Sequence, residues 1–183
     1  MLNNVYALRR LKARDWDFLE AKLRGIFGSL KRKDGTPMVA HSIDVGRRVQ
    51  QDKRADDIAI FGGYCHDVLE DTHLNQEDLF ELAKATMDNR NLAVNILADS
   101  VTCVKLVVEV SYTDNEYELP KAERKKAATK RWCKSNDIRV LLIKRADIES
   151  NKADAAKVSK EFEKEYLNRA LPLHTKIEKR LAS

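Results

Sequence analysis

Three islands of sequence carry residues that can do chemistry together: His41; the block His66-Asp67-Val68-Leu69-Glu70-Asp71; and Asp147-Ile148-Glu149-Ser150-Asn151. Imidazole and carboxylate are the donors that a first-row divalent ion accepts where no thiolate is at hand. His41, His66, Asp67 and Asp147 would hold one such ion, offset its charge and leave positions open for water and substrate. Open positions separate a catalytic metal site from a structural one, and coordinated water becomes a nucleophile near neutral pH. On a helix, His66 and Glu70 are i,i+4 neighbours, as are Asp67 and Asp71, and Asp147 and Asn151. That spacing puts Glu70 and Asp71 where they can orient or deprotonate the water, and Asn151 where it can hold a substrate oxygen. Taken singly, each island has a plainer reading. A lone histidine is more often a surface or core residue, Glu70-Asp71 a solvated helix end, and Asp147 an exposed position after the apolar run 140–143. The joint pattern is what points to a site.

The elements that must position these residues read as helices. Apolar residues Leu8, Leu11, Trp16, Leu19, Leu23 and Phe27 recur at helical spacing through residues 5–30. A loop containing Asp34-Gly35 follows. Thr36-Pro37 then reads as an N-cap with proline in the first helical position, opening a helix to about residue 48. Further helices are expected over 54–70, from the Asn75 cap to about 85, over 91–103, from Pro120 to 134, over 137–151, and from about 155 to the C-terminus. The β-branched run 104–112 suggests one short strand. The expectation is an all-α chain of about eight helices, with that one β-like segment, forming a single domain over residues 1–183.

Composition agrees. Hydrophobic residues make up 43% of the 183, enough for a core, while 34% charged residues and only six glycines and three prolines disfavour a β-sandwich or a disordered chain. The apolar runs are too short to span a bilayer, and the first residues lack a signal-peptide pattern, so the expected setting is cytoplasmic, with no membrane partner. Cys65, Cys103 and Cys133 are too few and too scattered for a disulfide framework or a zinc motif. A net charge of +5 attracts anions without distinguishing a phosphorylated small molecule from a nucleic acid.

The islands and their flanks resemble the hydrolase domain of the RelA/SpoT homologues, above all the stand-alone small alarmone hydrolases. Arg32-Lys33-Asp34-Gly35-Thr36-Pro37, running on to His41, is similar to their R-K-x-G-x-P loop. His66 to Thr72 fits H-D-x-x-E-D-T without a gap, and residues 143–151 fit I-K-x-A-D-x-x-x-N. Residues 119–125, Leu-Pro-Lys-Ala-Glu-Arg-Lys, resemble an L-P-K-x-E-R-K segment. The resemblance spans about residues 20–170. It implies an all-α HD-domain fold binding one divalent ion per chain, manganese first among them, at His41, His66, Asp67 and Asp147. It further implies removal of the 3′-pyrophosphate from guanosine alarmones such as ppGpp, with Glu70 and Asp71 activating water. Arg32, Lys33, Lys121, Asn151 and Tyr166 would contact the nucleotide. The chain departs from the pattern at Met38, Ser42 and Phe162, and at Gly62-Gly63, which is expected to weaken its helix and open room near the metal.

Two other functions remain open. An HD-type hydrolase of deoxynucleoside phosphates would share the ligands but generally lacks the Arg-Lys loop and the Glu-Asp-Thr sequel. A basic nucleic-acid-binding or regulatory protein with a vestigial site would use the segment 121–134, where seven Lys/Arg face one Glu. The plainer reading of that segment, a solvated basic helix guarding a nucleotide pocket, is preferred. The sequence leaves the oligomeric state open.

Overall fold

The computed structural model describes residues 11, 13–32, 34–88 and 96–182. Among them the chain forms ten helical segments: α1 Ala13–Phe27, α2 Met38–Gln51, α3 Asp57–Cys65, α4 Val68–Asp71, α5 Gln76–Met87, α6 Ile96–Val110, α7 Asp114–Tyr117, α8 Lys121–Trp132, α9 Ile138–Val158 and α10 Lys160–Leu181. Eight are longer than two turns and two are single turns, so the all-α reading with about eight helices holds. Lys33, Leu8 and the stretch 89–95, on which parts of the expected loop and helices fall, lie outside the described residues.

The expected strand at 104–112 is a helix. Cys103, Leu106, Val107 and Val110 fall at i, i+3, i+4 and i+7 and are all buried on one face of α6, which packs against α3, α5 and α9. Burial of that stripe outweighs the β preference of its valines. Among the described residues the one bridge of strand type joins Lys31 to Pro37 and closes the loop between α1 and α2. Asp34 accepts from the Thr36 amide and hydroxyl at 3.0 and 2.6 Å, and Gly35 supplies the positive φ of 84° that the turn needs. The turn thus holds Arg32 rigidly ahead of α2. Helix α2 starts at Met38 with Pro37 as its cap, one residue later than expected.

Helix α3 is the centre of the bundle. It packs on α2, α6 and α9, and residues 59–65 are all buried. Asp56 caps it by accepting from the Ala59 amide. The α2–α3 crossing depends on glycine. A Cβ at Gly46 would lie 2.3 Å from Cγ of Tyr64, and one at Gly63 would lie 3.2 Å from the Gly46 Cα and 2.9 Å from a Val49 methyl. A Cβ at Gly62 would press on Ile143 and Leu106. Gly62-Gly63 therefore lets helices meet and does not open space beside the metal candidates, contrary to expectation. The close crossing brings His41 on α2 to His66 at the end of α3, with ring centroids 5.2 Å apart.

The helix expected over 54–70 is broken at His66-Asp67. In an unbroken helix adjacent side chains point about 100° apart, so both could not face one ion easily. Here α3 ends at Cys65 and Asp67 (φ −101°, ψ −2°) takes the N-cap position of α4, while the Ser111 hydroxyl, which donates to the Val107 carbonyl at 2.8 Å, lies 3.4 Å from the His66 carbonyl. Thr72 ends α4 through its hydroxyl, which donates to the Val68 carbonyl at 2.7 Å. Asn75 and Asp78 then form a reciprocal capping box that starts α5. At the C-terminal end, α9 runs seven residues beyond its expected limit and Ser159 caps α10, which folds back along α9. No helix among the described residues is long and apolar enough to cross a membrane. Cys65 and Cys133 are free thiols.

Candidate metal centre and cavity

The four expected ligands converge from three places: α2 (His41), the break after α3 (His66 and Asp67) and the middle of α9 (Asp147). His41 Nε2 lies 3.3 Å from Asp147 Oδ1 and 3.7 Å from Asp67 Oδ2. His66 Nε2 lies 3.1 Å from Asp67 Oδ2 and 3.9 Å from Asp147 Oδ1. Donor atoms of His41, His66 and Asp147 all sit within 4.8 Å of one another.

The outer nitrogens of both rings are fixed. His66 Nδ1 is 2.9 Å from the Gly63 carbonyl, an acceptor, so Nδ1 carries the proton and Nε2 presents its lone pair. His66 is fully buried, and its Nε2 has no hydrogen-bond partner among the described residues. An orphaned buried nitrogen aimed at two carboxylates and a second imidazole fits a metal ligand. His41 Nδ1 is 3.0 Å from Ser150 Oγ, and Ser150 in turn bonds the Asp44 carboxylate. With its proton given to Asp44, the serine oxygen accepts from Nδ1–H and turns His41 Nε2 inward as well.

The electrostatics point the same way. Burial alone would raise both aspartates. The His66 ring beside Asp67 and the His41 ring beside Asp147 outweigh it and hold both carboxyls below the usual range. Burial would lower His66, and Asp67 outweighs it and pushes the ring up. The cluster favours positive charge at its centre, which a divalent ion would supply.

These groups form the floor of a cavity of about 980 Å³. Its lining includes Arg32, Glu70, Asp71, Lys121, Asn151 and Tyr166, so the structure gathers every sequence-derived site residue that it describes; His66 lies beneath the floor. Burial pushes the Glu70 carboxyl up to about 7, against the pull of Lys144, and raises Asp71 too. One Glu70 oxygen accepts from the Tyr112 amide at 3.1 Å, which fixes the side chain. Asn151 donates to Asp147 Oδ1 at 2.5 Å and accepts from Arg32 at 2.6 Å. Arg32 also pairs with Asp154 at 3.0 Å. Asn151 thus bridges the loop cation to a ligand of the cluster. The Tyr166 hydroxyl donates to the Ile148 carbonyl at 3.3 Å.

Sequence reasoning passed over Ser150, Lys144, Trp132 and Arg169. The last three line the cavity. Ser150 stood inside a flagged island, but its partner is 109 residues away. The basic segment divides its labour. Arg131 is tied to Glu116 and the Ser111 carbonyl, and Arg124 to the Tyr117 carbonyl and ring, whereas Lys121, Lys125 and Lys126 face the cavity. A second His-acid group, Glu149-His174-Glu178, joins α9 to α10. Arg145 lies within 3.9 Å of both glutamates, so that group already has its cation.

No family model matches the chain. A solved structure described as a metazoan ortholog of SpoT that hydrolyzes ppGpp and plays a role in starvation responses superposes with a TM-score of 0.66 at 23% identity. The match covers 92% of this chain and 94% of that one. The two chains share one fold. That is the all-α HD fold expected from the motifs, and within it His41, His66, Asp67 and Asp147 stand on the helices and the helix break described above.

Proposed function

We propose that the chain is a metal-dependent nucleotide phosphohydrolase of a single domain, acting in the cytoplasm as a guanosine-3′,5′-bis(diphosphate) 3′-pyrophosphohydrolase. The observation that carries this reading is a two-histidine, two-aspartate cluster on the floor of a cavity whose wall bears Lys121, Lys125, Lys126 and Arg169. The structural likeness to an enzyme that hydrolyzes ppGpp supports the choice of substrate.

His41, His66, Asp67 and Asp147 would hold one divalent ion, manganese the best fit. Once bound, the ion supplies Lewis acidity toward a phosphoryl oxygen and lowers the proton affinity of water. Glu70, titrating near neutrality, can take a proton from the attacking water and return it to the departing 3′-oxygen. Asp71 stands beside it as a second carboxyl. The water oxygen bonds to phosphorus as the ester P–O bond breaks, giving GDP and pyrophosphate. Arg32, with Asn151 behind it, and Lys121 would bind the nucleotide; Lys33 belongs to the same loop. Tyr166 would wall the base or sugar.

The test is a panel of nucleotides incubated with protein and manganese, with products resolved by anion exchange. The expected products are GDP and pyrophosphate from the tetraphosphate. Triphosphate or phosphate released from a deoxynucleotide, with the tetraphosphate untouched, would replace the reading by a deoxynucleoside phosphate hydrolase. Salt-sensitive retention of nucleic acid without turnover would favour a binding protein.

A further inference from the structure

Among the described cations that line the cavity, Lys144 is the buried one. It sits on α9, three residues before Asp147, and is only 4% exposed. Taking an ammonium out of water is costly unless the protein supplies acceptors, and here it supplies few. The nearest carboxylate oxygen, Asp147 Oδ2, is 3.9 Å away, outside hydrogen-bond range. Among the described residues Nζ contacts this carboxylate and one aromatic ring. The other contact is the Trp132 ring, 4.0 Å from Nζ to centroid, a cation–π contact that fixes position without using the donors. Lys144 and Trp132 both line the cavity. The arrangement leaves ammonium hydrogens at the inner end of the cavity, beside the cluster.

The charge balance there asks for such a group. Asp67, Asp147, Glu70 and Asp71 all face the cavity, and a phosphate entering among four carboxyls needs more than one ion to offset them. Arg32 is already engaged by Asp154 and Asn151. We infer that Lys144, held on the Trp132 ring, is the built oxyanion contact of this site, donating to the phosphoryl group that reacts, and that Trp132 is its positioning residue. The inference rests on the proposed function for the identity of its ligand as a phosphoryl group.

The variant to make is Lys144→Met, which keeps length and packing and removes charge and donors. Loss of a charge-assisted contact to the reacting phosphoryl group should lower kcat/KM for the tetraphosphate by about 10²–10³-fold, with Lys144→Arg recovering part of it. Manganese affinity should stay level or rise, because a cation 3.9 Å from Asp147 opposes a second one. Trp132→Phe should keep most of the activity and Trp132→Leu lose most of it, at unchanged helicity. The turnover-free arm titrates inorganic phosphate into manganese-loaded protein and follows phosphorus NMR line broadening. Wild type should broaden the signal well below the phosphate concentration that Lys144→Met requires. If wild type hydrolyses none of the nucleotides, the proposed function fails, and the phosphate titration still decides on Lys144. Equal phosphate affinity and kcat/KM within twofold in Lys144→Met would overturn the inference. So would a loss of activity matched by an equal loss of manganese affinity, which would mark Lys144 as structural.

Discussion

Replacing Gly46 by alanine sets two physical effects against each other. In the middle of a helix the change should stabilise by about 0.5–1 kcal/mol, because alanine loses less backbone entropy on folding. The packing predicts the opposite. The new Cβ would lie 2.3 Å from Tyr64 Cγ and 2.5 Å from both Cδ atoms. Carbon atoms settle at about 3.5–4.0 Å, so the ring would have to retreat by about 1.2 Å or more. It has nowhere to go: Tyr64 is 1% exposed and stacks on Trp16 at 5.8 Å. Its hydroxyl donates to Glu20, which is also clamped by Arg47. Overpacking of this kind costs about 1–3 kcal/mol, and displacing the hydroxyl from a charged acceptor adds about 1.5–3 kcal/mol. The expected net loss is roughly 2–5 kcal/mol, read as a lower urea midpoint at unchanged slope. Manganese affinity should fall as well, since His41 rides on the same helix. In a Tyr64→Ala background the obstruction is gone, and Gly46→Ala should become neutral or stabilising. The reasoning fails if Gly46→Ala matches or exceeds wild-type stability, or costs the same in both backgrounds.

Three further outcomes are expected. Manganese at a hundred times its dissociation constant should stabilise the protein by about 2.7 kcal/mol in a thermal melt, and His66→Ala should abolish that shift; a shift that survives places the ion elsewhere. Glu70→Gln should retain manganese binding and lose about 10²–10⁴-fold in kcat, with near-normal turnover removing Glu70 from the proton transfers. Asp52 accepts from Arg54 and Arg145, and Arg54, working against burial, is the main group holding its carboxyl far below the usual range. The unfolded chain takes up that proton first as pH falls through about 4, so the stabilisation is fully present above that value and is lost progressively below it, as pH falls toward the folded-state value. Asp52→Asn should therefore be less stable than wild type at pH 7, with the gap narrowed in urea melts near pH 3; a gap independent of pH would assign the effect to packing.

The convergence of the four candidate ligands and the two carboxyls beside them was legible because each stands in a short, dense motif that local spacing can expose. The all-α class was readable too, from the apolar periodicity of α1 and the caps at Asn75 and Pro120. Long-range geometry was not. The break at His66-Asp67 falls inside residues 54–70, which otherwise look like one apolar helix. The valines of α6 suggested a strand because local preference carries no record of the helices that bury them. Gly62-Gly63 looked like a gap, whereas the partners that fill it, Ile143, Leu106 and Val49, lie on α9, α6 and α2. Lys144 stayed hidden for the same reason: lysine usually means surface, and only the placement of Trp132 and Asp147 shows that this one is buried.

The floor and the wall of the cavity come from different stretches of chain. The cluster is held by α2, α3, α4 and the first half of α9, whereas Lys121, Lys125, Tyr166 and Arg169 ride on α8 and on α10, which begins only at Lys160. On the proposed function, hydrolytic chemistry and much of the substrate choice are borne by different parts of one small chain. Mutational drift at the wall positions of α8 and α10, Trp132 apart, can retune what is admitted without touching the cluster, and a library confined to those positions is the natural starting point for redirecting this scaffold to another phosphate ester.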